Sequence, residues 1–399
     1  MALGKIIVVG AGPSGLLLAL LLAQKNIPVT VIEARDGLDD QPRATHYAAP
    51  AVKELIRAGL MEDILAQGVL PSAIAWRHGD GTPIATLKIA EPEHTSERLI
   101  CLPLNRLCRL IHQKLSSYPT ASVLWSTKVT AIGQAQDRAW VIAQTAAGTH
   151  EYEASYIIGC DGASSQIRRS LFGNAEFPGH SWDRQIVATN VFYDFEKLGW
   201  DDVNYILDKD HWYMAAKIST DGMWRVAYGE PMGFSREELA SRQPLKFELM
   251  LPGNPKPNQY RVTNFSPYKV HQRCVAKMRM GRFLVAADAA HLCNPFGGMG
   301  LTGGLVDVGN LYDCLAGMSD GLVDESILDK YDEVRRTKFR TIIDPLTTEN
   351  FQRMFQGLQS DDFLKLVSKA ETDEGLSRQL QANANDLQHD FTQYFIPKP

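Results

Sequence analysis

The sequence predicts an α/β fold in which a parallel sheet flanked by helices is interrupted by an inserted, mostly antiparallel β-sheet and followed by C-terminal helices. Three observations predict it. Residues 5–32 read as strand, helix and strand in immediate succession, the pattern of a βαβ unit. Residues 177–266 change texture to short alternating segments. Residues 282–287 (RFLVAA) then return to the continuous apolar run of a strand buried on both faces.

Taken in order, residues 5–9 (KIIVV) form such a buried strand, and the glycine-dense GAGPSG of residues 10–15 follows at once. Residues 16–24 are good helix formers, and 29–32 make a second apolar strand ending at Glu33. A helix is expected over 51–65, stopping near Gly68. Another is expected over 106–115, with Leu107, Leu110, Ile111 and Leu115 on its apolar face. Short β elements at 123–124, 129–132, 140–145 and 150–156 precede residues 155–160 (SYIIGC), a core strand running into Asp161-Gly162. In the inserted block, segments 185–195, 204–207, 211–218 and 223–228 alternate, and Thr220-Asp221-Gly222 supplies a hairpin turn between the last two. Residues 307–318 and 327–340 read as helices, with polar helical segments to the end. The chain thus divides into a discontinuous first domain (1–176 and 267–345), an inserted sheet domain (177–266) and a C-terminal helical tail (346–399). That tail is expected either to close the mouth of the site or to form a dimer contact.

Length and charge exclude several classes. The 399 residues suffice for two or three domains. Lys and Arg number 41 against 46 Asp and Glu, a net charge of −5, and no basic block exceeds Arg168-Arg169 or Arg335-Arg336, so no nucleic-acid partner is expected. The six cysteines lack zinc or CxxC spacing, so neither a metal site nor a redox disulfide is expected, and free thiols fit the cytoplasm. The apolar run 6–22 is interrupted by Gly10, Gly12, Pro13, Ser14 and Gly15, which argues against a membrane span or signal peptide.

Three motifs carry chemistry. In Gly10-x-Gly12-x-x-Gly15 the first glycine permits a tight turn, the second admits a pyrophosphate to the backbone, and the third lets helix and strand pack closely. The phosphates then meet free N–H groups at the positive end of the helix. Glu33, at the end of the second strand, is placed to accept hydrogen bonds from a ribose diol and disfavours a 2′-phosphate, which points to NAD or FAD. Ser14 and Arg35 join these as candidate nucleotide contacts. The second motif, Asp161-Gly162, is by itself an ordinary turn after a strand. The third places Asp288 at a strand end, followed by Asn294-Pro295-Phe296-Gly297-Gly298-Met299-Gly300-Leu301 and Gly303-Gly304. So many glycines imply close approach to a planar or charged group, and the helix that follows offers free amides to an anion.

These motifs, in this order over residues 5–340, resemble the single-component FAD-dependent aromatic hydroxylases, the flavoprotein monooxygenases typified by para-hydroxybenzoate hydroxylase. The resemblance implies a Rossmann-like FAD-binding domain with tightly bound, non-covalent FAD, and NADPH or NADH as transient reductant. O2 would add at flavin C4a, and the hydroperoxide would hydroxylate or epoxidise a hydrophobic aromatic or polycyclic small molecule. By the same resemblance, Asp161 contacts FAD and the incoming nicotinamide nucleotide, and Asp288 holds the ribityl chain. Arg43, within Pro42-Arg43-Ala44, borders the isoalloxazine, and Arg106 contacts the pyrophosphate or ribityl region. Pro295, Gly298, Gly300 and Leu301 surround the flavin. Ala287 stands where the family usually has glycine, and alanine is expected to be tolerated at a strand end.

The candidate catalytic groups lie on the inserted sheet. Arg225 is the candidate cation for reduced flavin or the hydroperoxide, Tyr205 and Tyr213 for hydrogen-bonding or deprotonating a phenol, and His211 for a base. His46 and His291 are read as structural. No metal and no membrane are expected, and the protein is expected as a monomer or homodimer. Other FAD enzymes on this scaffold (a dehydrogenase, a cyclase, a halogenase-like enzyme) and a non-catalytic FAD-binding regulator are the alternatives. The halogenase Gly-Trp-x-Trp-x-Ile-Pro motif is missing, since Gly199-Trp200 continues as Asp-Asp-Val.

Overall fold

The computed structural model describes residues 3–43, 45–89, 99–356 and 361–396. Its first unit is β1 (Ile6–Val9), α1 (Pro13–Gln24) and β2 (Val29–Ile32). α1 is apolar on every side and residues 14–23 are all buried, so it lies inside the molecule rather than on its surface. β1 pairs in parallel with β2 on one side and with Tyr156–Gly159 on the other. The six-stranded sheet runs Arg279–Met280, Phe283–Val285, Tyr156–Gly159, β1, β2, Ala121–Leu124, and only its edge hairpin is antiparallel. Gly10, Glu33, Cys160-Asp161 and the turn Ala287–Ala289 follow the carboxyl ends of four of these strands. Ligands of open parallel sheets bind at that edge.

The second sheet has eight strands, in the order His291–Leu292, Arg261–Cys274, Gly179–Phe192, Met223–Glu230, Tyr213–Lys217, Val203–Leu207, Ala73–His78, Pro83–Lys88. The division made from sequence gives 73–88 to the first domain. Instead that hairpin extends the inserted sheet, because Ala73–His78 pairs in parallel with Val203–Leu207. A parallel partner so distant in the chain leaves no local signal. Residues 128–154 form a separate three-stranded antiparallel sheet. The helix expected over 51–65 is two helices, Ala49–Arg57 and Met61–Gln67, parted near Gly59 with φ +69. The one expected from 307 begins earlier, as Met299–Ser319.

The two faces of the large sheet have separate uses. Val187, Tyr213, Trp224, Val226 and Tyr228 pack beneath the helix Arg236–Met250, which opens with a Ser235–Glu238 capping box. Trp76, Tyr205, Met214 and Ala227 lie on the other face, toward the C-terminal helices Asp344–Gln356, Asp362–Ala370 and Glu374–Ala382. Among the described residues all six cysteines are free, no helix is long and apolar enough to cross a membrane, and no three His, Cys, Asp or Glu side chains cluster as metal ligands.

Candidate active site

A single cavity of about 970 Å³ runs from the carboxyl edge of the parallel sheet to the inner face of the large sheet. Its first arm is built by the glycine loop. Gly10 has φ +106, and a Cβ there would stand 2.5 Å from the Cys160 carbonyl oxygen. A Cβ on Gly15 would stand 2.0 Å from the Gly10 oxygen, so this glycine lets α1 sit against β1 and does not line the cavity. A Cβ on Gly12 would meet nothing within 4 Å, because the space in front of α1 is open cavity. No side chain caps α1 and its first turn has no acid, so its amides face that space unanswered. Glu33 accepts the Ala11 N–H at 2.7 Å and the Arg35 N–H at 3.0 Å, fastening the loop to the end of β2.

Asp161 accepts the amides of Gln166 (2.6 Å) and Ile167 (3.1 Å) and the Ser165 hydroxyl, and so caps the helix Gln166–Phe172 at the cavity rim. Burial pushes its carboxyl above the usual range against these hydrogen bonds. Arg168 ties this motif to the third by donating to the carbonyls of Ala163 and Ala289.

Asp288 faces the cavity and nothing among the described residues donates to it. Enclosure raises its pKa, opposed by the charges of His291 and Arg43. A cavity-facing carboxylate with no donor among the described residues matches a ligand hydroxyl, as the ribityl chain of FAD provides. Its neighbour corrects an expectation. Ala287 is not in an ordinary strand-end conformation but left-handed, φ +56, where an alanine is strained and a glycine is not. The turn is held from behind by Asp307, wholly buried, which accepts the Ala287 N–H (3.0 Å), His291 Nε2 (2.6 Å) and Arg335 Nε (2.7 Å). Burial alone would raise the Asp307 carboxyl, but His291 and Arg335 hold it down to about 2. Next along, Gly297 (φ +104) and Gly298 (φ +67) turn the chain into the helix Met299–Ser319, whose uncapped N-terminus opens on the cavity. Asn294 anchors this loop through Gln272 Oε1 and the Thr347 carbonyl.

The second arm is the inner face of the large sheet. Tyr205 pairs with Met214, and Met214 with Ala227, so their side chains share that face. Trp76 stacks on Tyr205 at 5.8 Å and meets Phe363 edge-on at 5.4 Å. The Gly297 amide donates toward the Tyr205 hydroxyl, but burial prevails and pushes that phenol up to about 12, which keeps it protonated. Arg225 donates Nε (3.0 Å) and Nη2 (2.8 Å) to Asn190 Oδ1, and Nη2 also to the Pro42 carbonyl. Burial lowers its pKa to about 10. His46 lines the same region, with Nδ1 2.9 Å from Thr45 Oγ1. Burial, then the Arg225 charge, pushes it down to about 4, so it is neutral. Phe363, Leu380, Gln381 and Ala384 roof the chamber. Their helices are fixed to the strand Pro83–Lys88 by Thr86 N–H to Glu371 (2.7 Å) and Ser377 Oγ to the Lys88 carbonyl (3.0 Å).

Of the residues singled out from sequence, the cavity brings together Gly10, Gly12, Ser14, Glu33, Arg35, Arg43, Asp161, Tyr205, Arg225, Asp288, Pro295, Gly298, Gly300 and Leu301. Ala44 lies outside the described residues. Four others do not line it, Gly15 because it packs α1 against β1. Arg106 points elsewhere because Asn105 and Cys108, one turn apart, form the face of the helix Leu104–Leu115 that the cavity meets. Tyr213 lies on the opposite side of the sheet, its hydroxyl donating to the Met250 carbonyl at 2.7 Å. His211 sits in the turn before Tyr213–Lys217, its amide bonded to Asp208. Trp76, Asn190 and the Asp307–Arg335 pair were not expected, since each acts through a partner remote in sequence.

The fold and cavity define a dinucleotide-binding protein whose nucleotide cradle opens directly into an aromatic-lined chamber. A family model described as an FAD binding domain matches residues 4–345. Para-nitrophenol 4-monooxygenase of Pseudomonas sp. (strain WBC-3) is 37% identical over 394 residues, 96% of each chain. The 6-hydroxy-3-succinoylpyridine 3-monooxygenase of Pseudomonas putida (strain DSM 28022 / S16) is 33% identical over 353 residues, 88% of this chain and 89% of that one. The crystal structure of p-nitrophenol 4-monooxygenase from Pseudomonas putida DLL-E4 matches with a TM-score of 0.91 at 34% identity, covering 96% of this chain and 98% of that one. The chain belongs to the FAD-dependent aromatic monooxygenases. Its cofactor is FAD, with NADPH or NADH as the reductant of this class.

Proposed function

We propose that this enzyme hydroxylates the ring of a small phenolic compound, consuming NADPH or NADH and O2. The observation that carries this is the continuity of the cavity: the cradle at Gly12, Glu33 and Asp288 and the chamber at Trp76, Tyr205 and Arg225 are one space. The two relatives above, named for a phenol and a hydroxypyridine, support the same substrate chemistry. When bound, FAD would supply the redox chemistry that takes electrons from the nicotinamide nucleotide and activates O2, the source of the oxygen atom transferred.

The chain's residues bind, orient and exclude water. The N-terminus of α1 holds the pyrophosphate, Glu33 the adenosine ribose and Asp288 the ribityl hydroxyls. The N-terminus of Met299–Ser319 stabilises negative charge on the reduced cofactor. Asp161, engaged with its own helix, positions the rim where the nicotinamide nucleotide enters. Tyr205, kept protonated, donates a hydrogen bond rather than taking a proton. The tail helices roof the chamber and keep water out. We place the enzyme in the cytoplasm, as a monomer or homodimer, with two interleaved domains and a C-terminal helical cap.

The test is purified protein carrying stoichiometric FAD, mixed with NADPH or NADH and a panel of substituted phenols. Ring-dependent acceleration of nucleotide oxidation is expected. Protein without bound FAD, or oxidation indifferent to every phenol, contradicts the proposal.

A further inference from the structure

From strand to strand across the large sheet, starting at the edge strand that follows the Asp288 turn, the cavity meets Leu292, Tyr268, Ala188, Ala227, Met214 and Tyr205 in turn. Ala188 pairs with Ala227, Ala227 with Met214, and Met214 with Tyr205. Tyr268 pairs with Ile186, two residues from Ala188, so its side chain shares their face. The row runs from the cofactor loop to the aromatic chamber, and Tyr268 carries the first polar side chain on it.

Tyr268 is 39% exposed, and it lines the cavity. Burial nevertheless pushes its phenol up to about 12, so the proton stays on and the group is a donor. The titratable groups that act on it are the Arg225 guanidinium and the Cys293 thiol. Cys293 in turn lies at the start of the helix Met299–Ser319, where a Cβ on Gly300 would stand 3.6 Å from its Sγ. The two other tyrosines of this sheet have partners for their hydroxyls, the Met250 carbonyl for Tyr213 and the Gly297 amide for Tyr205. The Tyr268 hydroxyl has none among the described residues. A cavity-facing donor of this kind matches an acceptor on a ligand. With Glu33 and α1 at the nucleotide end and Asp288 at the ribityl chain, as proposed above, the flavin ring comes to lie beyond Asp288, where the cavity next meets Cys293 and Tyr268.

We propose that Tyr268 is a further cofactor contact, its hydroxyl donating to an acceptor atom on the edge of the flavin ring where the cradle passes into the chamber. A hydrogen bond strengthens as its acceptor gains negative charge, so Tyr268 holds the reduced cofactor more tightly than the oxidised one. No motif marks this residue, because only the pairing of its strand brings it beside the cofactor loop. The inference rests on the placing of the cofactor given above and not on the identity of the substrate.

Y268F removes one oxygen atom, keeps the ring and breaks no hydrogen bond among the described residues, so the apoprotein is expected to denature at the wild-type midpoint. Two readouts on substrate-free protein then decide. Titration of the apoprotein with FAD is expected to show affinity about twofold to tenfold weaker than wild type. The flavin midpoint potential of the loaded enzyme, measured against a reference dye, is expected to shift to a more negative value. Y205F, which removes the hydroxyl further along the row, is expected to leave that potential where it is. An unmoved potential or an unmoved FAD affinity in Y268F overturns the inference, and so does a potential moved as far by Y205F. If the potential holds while phenol binding weakens, the hydroxyl belongs to the substrate, and the inference falls while the proposed function stands. Wild-type protein that takes up no FAD would sink both.

Discussion

Asp288 presents its carboxylate to the cavity with nothing among the described residues to donate to it. Hydrogen bonds to a charged group contribute about 1.5–3 kcal/mol. Asp288→Ala should therefore weaken FAD by roughly tenfold to a hundredfold, read by titrating the apoprotein with FAD; unchanged affinity would remove Asp288 from the cradle. Ala287 makes the opposite case. Its left-handed φ of +56 disfavours alanine by about 1–2 kcal/mol. The flexibility of glycine in the unfolded chain offsets about 0.5–1 kcal/mol of that. Ala287→Gly should raise the unfolding midpoint slightly, by up to about 1 kcal/mol, and a lowered midpoint would show that the alanine is not strained. The glycine motif was legible at this scale because each position answers a local steric demand, as the 2.0 Å approach of a Gly15 Cβ to the Gly10 oxygen illustrates. The Ala287 strain was not, since a strand end in sequence carries no sign of φ.

At the scale of the element, alternation along strands gave the parity of the side chains but not which parity faces the ligand. Tyr205 and Tyr213 are alike in sequence, yet the register puts Tyr205 opposite Met214 on the cavity face and Tyr213 under the helix Arg236–Met250. Tyr205→Phe should accordingly alter kcat or KM for phenols while leaving stability nearly unchanged. Tyr213→Phe should leave turnover intact and cost about 1 kcal/mol of stability, the loss of its hydrogen bond to the Met250 carbonyl. Steady-state kinetics paired with chemical denaturation separate the two, and a kinetic defect confined to Tyr213→Phe would reverse the assignment. The family resemblance put Arg106 at the cofactor, but a shift of one residue along a helix moves a side chain about a quarter turn, and Asn105 and Cys108 are the residues of this helix that line the cavity. The hairpin 73–88 joined the large sheet for a reason no local pattern contains, a parallel partner far along the chain.

At the scale of the molecule, Asp307 binds three regions into one. It holds the Ala287 turn, His291 and Arg335, while Arg335 donates onward to the Leu387 carbonyl at 2.6 Å, tying the C-terminal segment to the cofactor domain. Asp307→Asn leaves a buried guanidinium without its counter-charge and should destabilise the fold by about 3–5 kcal/mol. The wild-type carboxyl, held down to about 2, has an unfolded value near 3.9. Its contribution is thus fully present above about pH 5 and is lost as the pH falls through the folded value, amounting to about 2.6 kcal/mol. The difference in stability between wild type and Asp307→Asn should shrink on acidification over that window; a difference that stays constant would mean the carboxylate is not the source. None of this network is visible in sequence, where Asp307 and Arg335 are two ordinary helical charges.

The cavity as a shared space for cofactor and aromatic ring is the claim on which these scales converge. Its most direct test is turnover of a phenol under ¹⁸O2 by the FAD-loaded enzyme with NADPH or NADH, with the product weighed by mass spectrometry. A product heavier than the substrate by one labelled oxygen on the ring, formed only when phenol, nucleotide and O2 are all present, is the predicted result. Unlabelled product, or nucleotide oxidation that yields only hydrogen peroxide with every phenol offered, would contradict it.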